Sequence, residues 1–157
     1  MALEIERKFL VHQALWEKLT KPEGDFFRQG YLLAKPEKTV RIRLTSTSAF
    51  LTIKGKTQGA TRLEYEYPIP QADAQELLDN FSEAGLIKTR YKIMHEGKLW
   101  EVDEFAGENE GLVVAEIELA SEDETFQLPE WVAEEVTSQK KYYNSQLSVN
   151  PFKTWKN

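Results

Sequence analysis

The segment TVRIRLT, at residues 39–45, alternates basic and apolar side chains in a pattern that is decisive for the fold. Arg41 and Arg43 share one parity of this segment, whereas its aliphatic residues share the other. Successive side chains of a β-strand point to opposite faces, so the alternation predicts a strand with one charged face and one apolar face.

The same alternation recurs along the chain and divides it into strands. It predicts eight of them, at residues 3–10, 26–34, 38–46, 49–54, 61–69, 87–95, 98–105 and 112–119. Apolar residues at helical spacing predict a helix over residues 71–84, with Gly85 in a C-cap position, and a shorter helix over residues 13–19. The tail from Pro129 to Leu147 is predicted to be helical in pieces.

The charged parities of these strands carry both signs in equal number, and several strands carry one sign only. The eight basic residues are Lys8, Arg41, Arg43, Lys54, Arg62, Lys88, Arg90 and Lys92. The eight acidic residues are Glu4, Glu6, Glu64, Glu66, Glu101, Asp103, Glu116 and Glu118. Any single strand of this kind is compatible with the solvated face of a half-buried antiparallel sheet. The full set favours another arrangement, because an ordinary solvated face would mix in more Thr, Ser, Gln and Asn.

Eight strands are enough to close a β-barrel whose interior holds side chains or one small ligand. If the charged parity faces inward, the apolar parity faces outward and helices must cover it. Interior charges are tolerated only when they are paired or bind an ion. Basic residues on several walls would hold a chain of phosphates, and clustered carboxylates would hold a hard cation such as Mg²⁺ or Mn²⁺. The predicted fold class is therefore α+β, a closed eight-stranded antiparallel β-barrel with a polar interior and flanking helices, suited to metal-assisted chemistry on a polyphosphate.

Length and composition limit the alternatives. A chain of 157 residues suits one domain, here residues 1–157, and its 41% hydrophobic content can fill a core. The absence of cysteine excludes a disulfide scaffold, a thiolate nucleophile and a Cys-ligated zinc site. The net charge of -6 argues against double-stranded nucleic acid as a partner. No apolar run approaches the ~18 residues of a membrane helix, so a soluble, cytoplasmic domain without membrane contact is expected.

The opening Glu4-Ile5-Glu6-Arg7-Lys8 has the form ExExK, and further charged strands follow it in order. ExExK alone is a weak motif, but together with the ordered charged pairs it makes the chain resemble the CYTH family, also called triphosphate tunnel metalloenzymes. The resemblance covers residues 3–119 and extends less fully to residue 144. It implies an eight-stranded antiparallel tunnel flanked by helices, and an enzyme that acts on triphosphorylated substrates with Mg²⁺ or Mn²⁺.

The resemblance also implies roles for individual residues. Metal-holding carboxylates are expected at Glu4, Glu6, Glu64, Asp103, Glu116 and Glu118. The triphosphate is expected to bind Lys8, Arg41, Arg43, Lys54, Arg62, Lys88 and Arg90. Tyr31 matches a tyrosine that contacts the ExExK lysine in short bacterial members, so a Lys8–Tyr31 pair is expected to prepare the attacking water, with neighbouring cations lowering the pKa of Lys8. Lys140 and Lys141 compete for the place of a lysine that the family has near its C-terminus.

The resemblance favours hydrolysis of inorganic triphosphate (tripolyphosphate) to diphosphate and phosphate, because the compact chain leaves little sequence for a nucleoside or thiamine pocket. A class IV adenylyl cyclase, which makes cyclic AMP from ATP, and a thiamine triphosphatase are the enzymatic alternatives. A polyphosphate-binding module without turnover and an open sheet with an interaction role are the non-enzymatic ones. The expected partner is a small triphosphate substrate, and the expected assembly is a monomer or a homodimer.

Overall fold

Nine strands and three short helices make up the computed structural model, which describes residues 3–155. The strands are β1 (Leu3–Val11), β2 (Asp25–Lys35), β3 (Lys38–Leu44), β4 (Ala49–Gly55), β5 (Thr61–Pro68), β6 (Ala84–His95), β7 (Lys98–Phe105), β8 (Val113–Glu118) and β9 (Val132–Glu135). The helices are α1 (Gln13–Lys18), α2 (Gln71–Phe81) and α3 (Asn144–Leu147), with one-turn 3-10 helices at Gly107–Asn109, Lys140–Tyr142 and Phe152–Thr154. No helix in this part of the chain is long and apolar enough to cross a membrane.

Eight of the strands close into an antiparallel barrel in the order β1-β5-β4-β3-β2-β6-β7-β8. Strand β1 completes the closure, because its first residues pair with β5 and its later residues pair with β8. Glu4 lies opposite Arg62 in the first ladder, and Lys8 lies opposite Glu116 in the second. The predicted closed eight-stranded barrel is therefore confirmed.

The ninth strand, β9, lies outside the barrel and corrects one part of the prediction that the tail is helical in pieces, whereas Lys140–Tyr142 and Asn144–Leu147 are helical. Strand β5 pairs with only residues 3–5 of one edge of β1, which leaves the rest of that edge without a partner strand. Strand β9 pairs with this edge, where Phe9 lies opposite Glu135 and Val11 lies opposite Val132. The backbone N–H and C=O groups along this edge of β1 need hydrogen-bond partners, and β9 supplies them although its sequence shows no alternation.

Gly85 serves strand packing and not helix capping, so the predicted C-cap is wrong. Helix α2 ends at Phe81, and Ser82 already has an extended backbone. Gly85 lies in β6 opposite Gly30 of β2. A Cβ atom on Gly85 would lie only 2.6 Å from the carbonyl oxygen of Gln29, so this close approach of the two strands requires glycine.

Three clusters of buried side chains pack against the outside of the barrel wall. Helix α1 and the segment leading into β9 cover β1, β7 and β8 with an aromatic cluster that contains Trp16, Trp100 and Trp131. Helix α2 packs Leu78 against β3 and β4, and the C-terminal segment packs Leu147 against β6, β7 and β8. Burial of each such leucine stabilises the fold by about 1.5–3 kcal/mol relative to exposure. The outward parity therefore forms the core, and the interior is left to polar groups.

This cover is incomplete over β5. Leu63, Tyr65 and Tyr67 point outward and are 37%, 39% and 53% exposed. The expectation that helices cover the whole apolar face is therefore wrong for this strand, because the three helices pack over other parts of the wall.

Candidate active site

The barrel interior is a tunnel with a cavity of about 220 Å³, and charged side chains dominate its lining. Among the described residues, seven cations and seven carboxylates line it. The cations are Lys8, Arg41, Arg43, Lys54, Arg62, Lys88 and Arg90. The carboxylates are Glu4, Glu6, Glu64, Glu66, Glu101, Glu116 and Glu118. The charged parity of the strands thus faces inward, and the structure brings together all of the predicted triphosphate-binding cations.

The two signs are concentrated on different parts of the tunnel wall, except on β5, which contributes Arg62, Glu64 and Glu66. Strands β3, β4 and β6 contribute the basic half, which consists of Arg41, Arg43, Lys54, Lys88 and Arg90. Strands β7, β8 and β1 contribute the acidic half, which consists of Glu101, Glu116, Glu118, Glu4 and Glu6, together with Lys8. Strand β2 lies between β3 and β6 and contributes the uncharged Tyr31. An anion bound to the basic half would therefore face carboxylates across the tunnel.

Asp103 points into the barrel but lies beneath Lys88 and Arg90, outside the cavity lining, and is fully buried. Arg90 donates from Nε to Oδ1 at 2.7 Å and from Nη2 to Oδ2 at 2.9 Å, while Lys88 Nζ donates to Oδ2 at 2.6 Å. Burial alone would raise the pKa of Asp103, but the charges of Arg90 and Lys88 outweigh it and bring this pKa to about 2. Both carboxylate oxygens are engaged, so Asp103 is placed to orient two tunnel cations and not to face a ligand in the tunnel.

Within the basic half, Arg43 makes no ion pair among residues 3–155, whereas each of the other four cations pairs with at least one carboxylate. Arg41 Nη2 donates to Thr52 Oγ1 at 3.1 Å, whereas Arg41 Nε is buried without a hydrogen-bond partner among residues 3–155. Burial, Arg41 and Arg90 together lower the pKa of Arg43 to about 9. A buried donor without an acceptor is costly, so this wall is suited to an anion with several oxygens.

In the acidic half, Glu118 makes no ion pair within the described part of the chain. Glu118 is exposed by surface area, yet partial desolvation raises the pKa of its carboxyl, and the nearby carboxylates of Glu4, Glu64 and Glu6 raise it further. Glu4 Oε1 is 3.0 Å from Lys54 Nζ, so part of this charge is already paired. A cation near Glu118 would relieve the repulsion, and oxygen ligands of this kind suit a hard divalent ion.

The carboxylates do not form a ready coordination shell in the side-chain positions observed. Within residues 3–155, no group of three or more Asp, Glu or His side chains stands in an arrangement that could hold a metal ion. Glu6 and Glu116 are instead turned toward Lys8, with Oε1 to Nζ distances of 3.2 and 3.3 Å. The donor set therefore fits a metal in its chemistry, while the observed rotamers favour internal ion pairs.

The Lys8 ammonium group is held by carboxylates and not by Tyr31. Both residues line the tunnel, but no hydrogen bond joins them in the part of the chain that the structure describes. Burial lowers the pKa of Lys8, yet the charges of Glu116 and Glu6 more than offset this and raise the pKa above its ordinary value. The predicted lowering of this pKa is thus wrong for the observed arrangement, because the β1–β8 register sets Lys8 opposite Glu116.

Several tunnel residues carry no charge and escaped the sequence interpretation. Thr39 lines the tunnel from the same strand parity as Arg41, so the alternation could have identified it. Tyr143, Asn144 and Ser145 line the tunnel from the C-terminal segment, where no periodic pattern marks them. Part of the tunnel lining therefore comes from a segment that is not a strand of the barrel.

Three lysines lie away from this lining. Lys92 is exposed, although it shares the parity of Lys88 and Arg90. Neither Lys140 nor Lys141 lines the tunnel. Lys141 Nζ lies 4.6 Å from the centroid of the Trp155 ring and is engaged there by a cation–π contact.

Comparisons with known proteins agree with the tunnel geometry. Residues 2–150 match the CYTH domain family. The chain is 48% identical to a protein of Acetivibrio thermocellus named inorganic triphosphatase, with 99% of each chain covered. It is 37% identical to a protein of Nitrosomonas europaea with the same name, with 94% of this chain and 97% of the relative covered.

Solved structures show the same fold. The crystal structure of the inorganic triphosphatase NE1496 is 36% identical and aligns with a TM-score of 0.64 over 93% of this chain and 97% of that chain. The PH1012 protein from Pyrococcus horikoshii is only 17% identical and aligns with a TM-score of 0.58 over 76% of this chain and 80% of that chain, which bears on the fold alone. With its closed charged tunnel and a family match over nearly its whole length, this chain belongs to the CYTH family of triphosphate tunnel metalloenzymes.

Proposed function

We propose that this chain is an enzyme that hydrolyses inorganic triphosphate to diphosphate and phosphate inside the tunnel. The observation that carries the proposal is that a basic and an acidic half face one cavity, in which Arg43 and Glu118 make no ion pair among residues 3–155. Two relatives named inorganic triphosphatase, at 48% and 37% identity, support the same activity.

The basic half would bind and orient the triphosphate. Arginine can contact two oxygens of one phosphate at once, and Arg41, Arg43 and Arg90 face the cavity from two different strands. Lys54, Lys88 and Arg62 would add further positive charge along the chain of phosphates. Asp103 would fix the directions of Lys88 and Arg90, a role that replaces the metal-binding role expected from the sequence.

The acidic half would hold the divalent metal that the family requires. We assign Glu6, Glu116 and Glu118 to it first, with Glu4 and Glu64 contributing after release from Lys54. Mg²⁺ or Mn²⁺ is the proposed metal, since both prefer carboxylate oxygens. When bound, such an ion neutralises charge on the reacting phosphate and activates or positions water.

In the hydrolysis step, a new P–O bond forms between water and a terminal phosphorus atom of the triphosphate. A water oxygen attacks that phosphorus, the bond to the bridging oxygen breaks, and diphosphate leaves with the electron pair. The cations of the basic half would stabilise the negative charge on the leaving diphosphate. We assign Lys8 to the same role as a cation placed within the acidic half, and Tyr31 to the uncharged wall beside the substrate.

A substrate panel tests the proposal. Phosphate release is measured with tripolyphosphate, ATP and thiamine triphosphate, each with Mg²⁺, with Mn²⁺ and with EDTA. Rapid metal-dependent release from tripolyphosphate is expected, without cyclic AMP from ATP. Cyclic AMP formation would favour the adenylyl cyclase, faster turnover of thiamine triphosphate would favour that triphosphatase, and binding without any turnover would favour a polyphosphate-binding module.

A variant pair separates the tunnel from the rest of the surface. Arg43→Ala removes a tunnel cation, whereas Arg28→Ala removes an arginine of β2 that pairs with Asp79 on the outside. Only the first substitution is expected to reduce turnover. A cytoplasmic location and a monomeric or homodimeric state stay predictions from the sequence.

A further inference from the structure

Asn144, the first residue of α3, makes two hydrogen bonds with residues of the barrel. Its Oδ1 atom accepts one from Lys88 Nζ at 2.8 Å and one from Gln29 Nε2 at 3.2 Å. An ammonium group has donors only, so the oxygen and not the nitrogen of the Asn144 amide must face Lys88. One amide oxygen from the C-terminal segment therefore joins residues of β2 and β6.

The contact with Asn144 restricts how Lys88 can bind a ligand. Lys88 is 1% exposed, and burial together with the charges of Arg90 and Arg43 lowers its pKa to about 7, although the charge of Asp103 counteracts this. In its protonated form the group has three N–H donors. One donates to Asp103 Oδ2 at 2.6 Å and a second donates to Asn144 Oδ1. Because Lys88 also lines the tunnel, the third donor is left for an oxygen inside the cavity. Without Asn144, two donors would be free and the group could rotate about its axis toward Asp103.

Through its hydrogen bond to Gln29, Asn144 also influences the orientation of Arg43. Gln29 is 1% exposed, and its Oε1 atom accepts a hydrogen bond from Arg43 Nε at 3.1 Å. When Gln29 Nε2 donates to Asn144, the other end of its amide is fixed as the acceptor for Arg43. The Asn144 oxygen thus orients one cation of β6 directly and one cation of β3 through Gln29.

Helix α3 is held rigidly enough to serve this role. Leu147 is fully buried in the cluster that also contains Phe105 and Tyr142. Asn109 Nδ2 donates to the backbone oxygen of Leu147 at 3.4 Å. The C-terminal segment is therefore anchored on the outside of the barrel while Asn144 reaches the tunnel.

We infer that Asn144 is a positioning residue for triphosphate binding, and that it acts by aligning Lys88 and, through Gln29, Arg43. This inference rests on the proposed function, because it assumes that these two cations contact the substrate. Loss of the Asn144 oxygen weakens triphosphate binding without removing an ionisable side chain from the tunnel.

The test compares Asn144→Ala with Gln146→Ala, which changes an exposed residue of the same helix. The dissociation constant of tripolyphosphate is measured by calorimetry in EDTA, and kcat and KM are measured with Mg²⁺. Loss of hydrogen bonds to charged groups predicts that Asn144→Ala raises both the dissociation constant and KM about tenfold, with a smaller effect on kcat. Gln146→Ala is expected to match the wild type in all three.

A double-mutant cycle with Gln29→Ala shows whether the residues act as one unit. If they do, the combined variant loses little more affinity than the weaker-binding single variant, because the same alignment is lost in both. A purely structural role would instead lower the unfolding midpoint without this non-additivity in binding. If Asn144→Ala does not fold, Gln29→Ala alone breaks the link to Arg43 and is expected to raise the dissociation constant.

Failure of the inference differs from failure of the proposed function. Equal dissociation constants for Asn144→Ala and Gln146→Ala, or fully additive effects with Gln29→Ala, would overturn the positioning role while leaving wild-type hydrolysis intact. Wild-type binding of tripolyphosphate without turnover would overturn the hydrolase and leave the role of Asn144 in binding to be decided by the same calorimetry.

Discussion

Arg90, which lines the tunnel, and the buried Asp103 form a two-point ion pair with N–O distances of 2.7 and 2.9 Å. They lie opposite each other in the β6–β7 ladder, so strand register alone brings them together. Lys88 joins the same carboxylate from two positions earlier on β6. One buried anion thereby fixes two cations that face the cavity.

Asp103→Asn is expected to be strongly destabilising. The substitution leaves Lys88 and Arg90 buried without their counter-charge, and breaking a buried pair in this way costs about 3–5 kcal/mol. Urea unfolding at neutral pH measures the loss. Asp79→Asn breaks the exposed pair between Asp79 and Arg28 and is expected to leave the midpoint unchanged. Equal midpoints for the two variants would contradict the role given to Asp103.

Stability of the wild type is expected to fall as the pH drops below about 4. The folded-state pKa of Asp103 is about 2, below the ordinary value of about 3.9, because Arg90 and Lys88 outweigh the effect of burial. The unfolded chain therefore takes up this proton first. The contribution of Asp103, roughly 2–3 kcal/mol, is present above pH 4 and is lost toward pH 2. Unfolding curves in EDTA between pH 6 and pH 3 measure the slope. A slope as steep in Asp103→Asn as in the wild type would assign the effect to other groups.

Glu118→Gln is expected to stabilise the metal-free protein and to impair the enzyme. Partial desolvation and neighbouring carboxylates raise the pKa of the exposed Glu118, so the folded protein holds this proton more tightly and loses a small part of its stability as the pH rises past the ordinary value. Removing the charge should raise the thermal midpoint in EDTA at pH 7. Metal-dependent turnover should fall by at least about tenfold, as for other disturbed metal sites.

The matched control for Glu118→Gln is Glu130→Gln, at an exposed position outside the tunnel lining. It is expected to change neither the thermal midpoint nor turnover. A lower midpoint for Glu118→Gln in EDTA would show that the carboxylate repulsion is already relieved in the metal-free protein.

Arg41→Lys is expected to lose activity although the charge is kept. Lysine lacks the planar guanidinium that lets Arg41 bind Thr52 and still present other N–H donors to the cavity, so kcat/KM for tripolyphosphate should fall about tenfold or more. Arg28→Lys makes the same change at an exterior position of β2 and should have no effect. Wild-type kcat/KM in Arg41→Lys would mean that only the charge at this position matters.

The barrel and most of its lining could be predicted because they depend on a period of two. Strand parity assigns Arg41 and Lys88 to the interior regardless of how the strands are ordered. Strand parity does not show whether an inward-pointing side chain reaches the cavity or is covered by its neighbours. Asp103 shares the inward parity but lies behind Lys88 and Arg90, and only the β6–β7 register explains this.

Features that depend on long-range packing could not be predicted from the same pattern. Asn144 reaches the tunnel because Leu147 anchors a one-turn helix on the opposite side of the wall, and four residues are too few to show periodicity. The partner of Lys8 is set by the pairing of β1 with β8, which places Glu116 and not Tyr31 against it. In the sequence, Gly85 follows a helical pattern and resembles a C-cap. The reason for glycine there, the close approach of β2 to β6, appears only in the folded structure.

Phosphorus NMR of tripolyphosphate incubated with the wild-type protein tests the central claim most directly. With Mg²⁺ or Mn²⁺, the account predicts that the tripolyphosphate signals disappear while diphosphate and phosphate appear in equal amounts, and that EDTA stops the change. Persistence of tripolyphosphate both with Mg²⁺ and, in a separate sample, with Mn²⁺ would contradict this prediction.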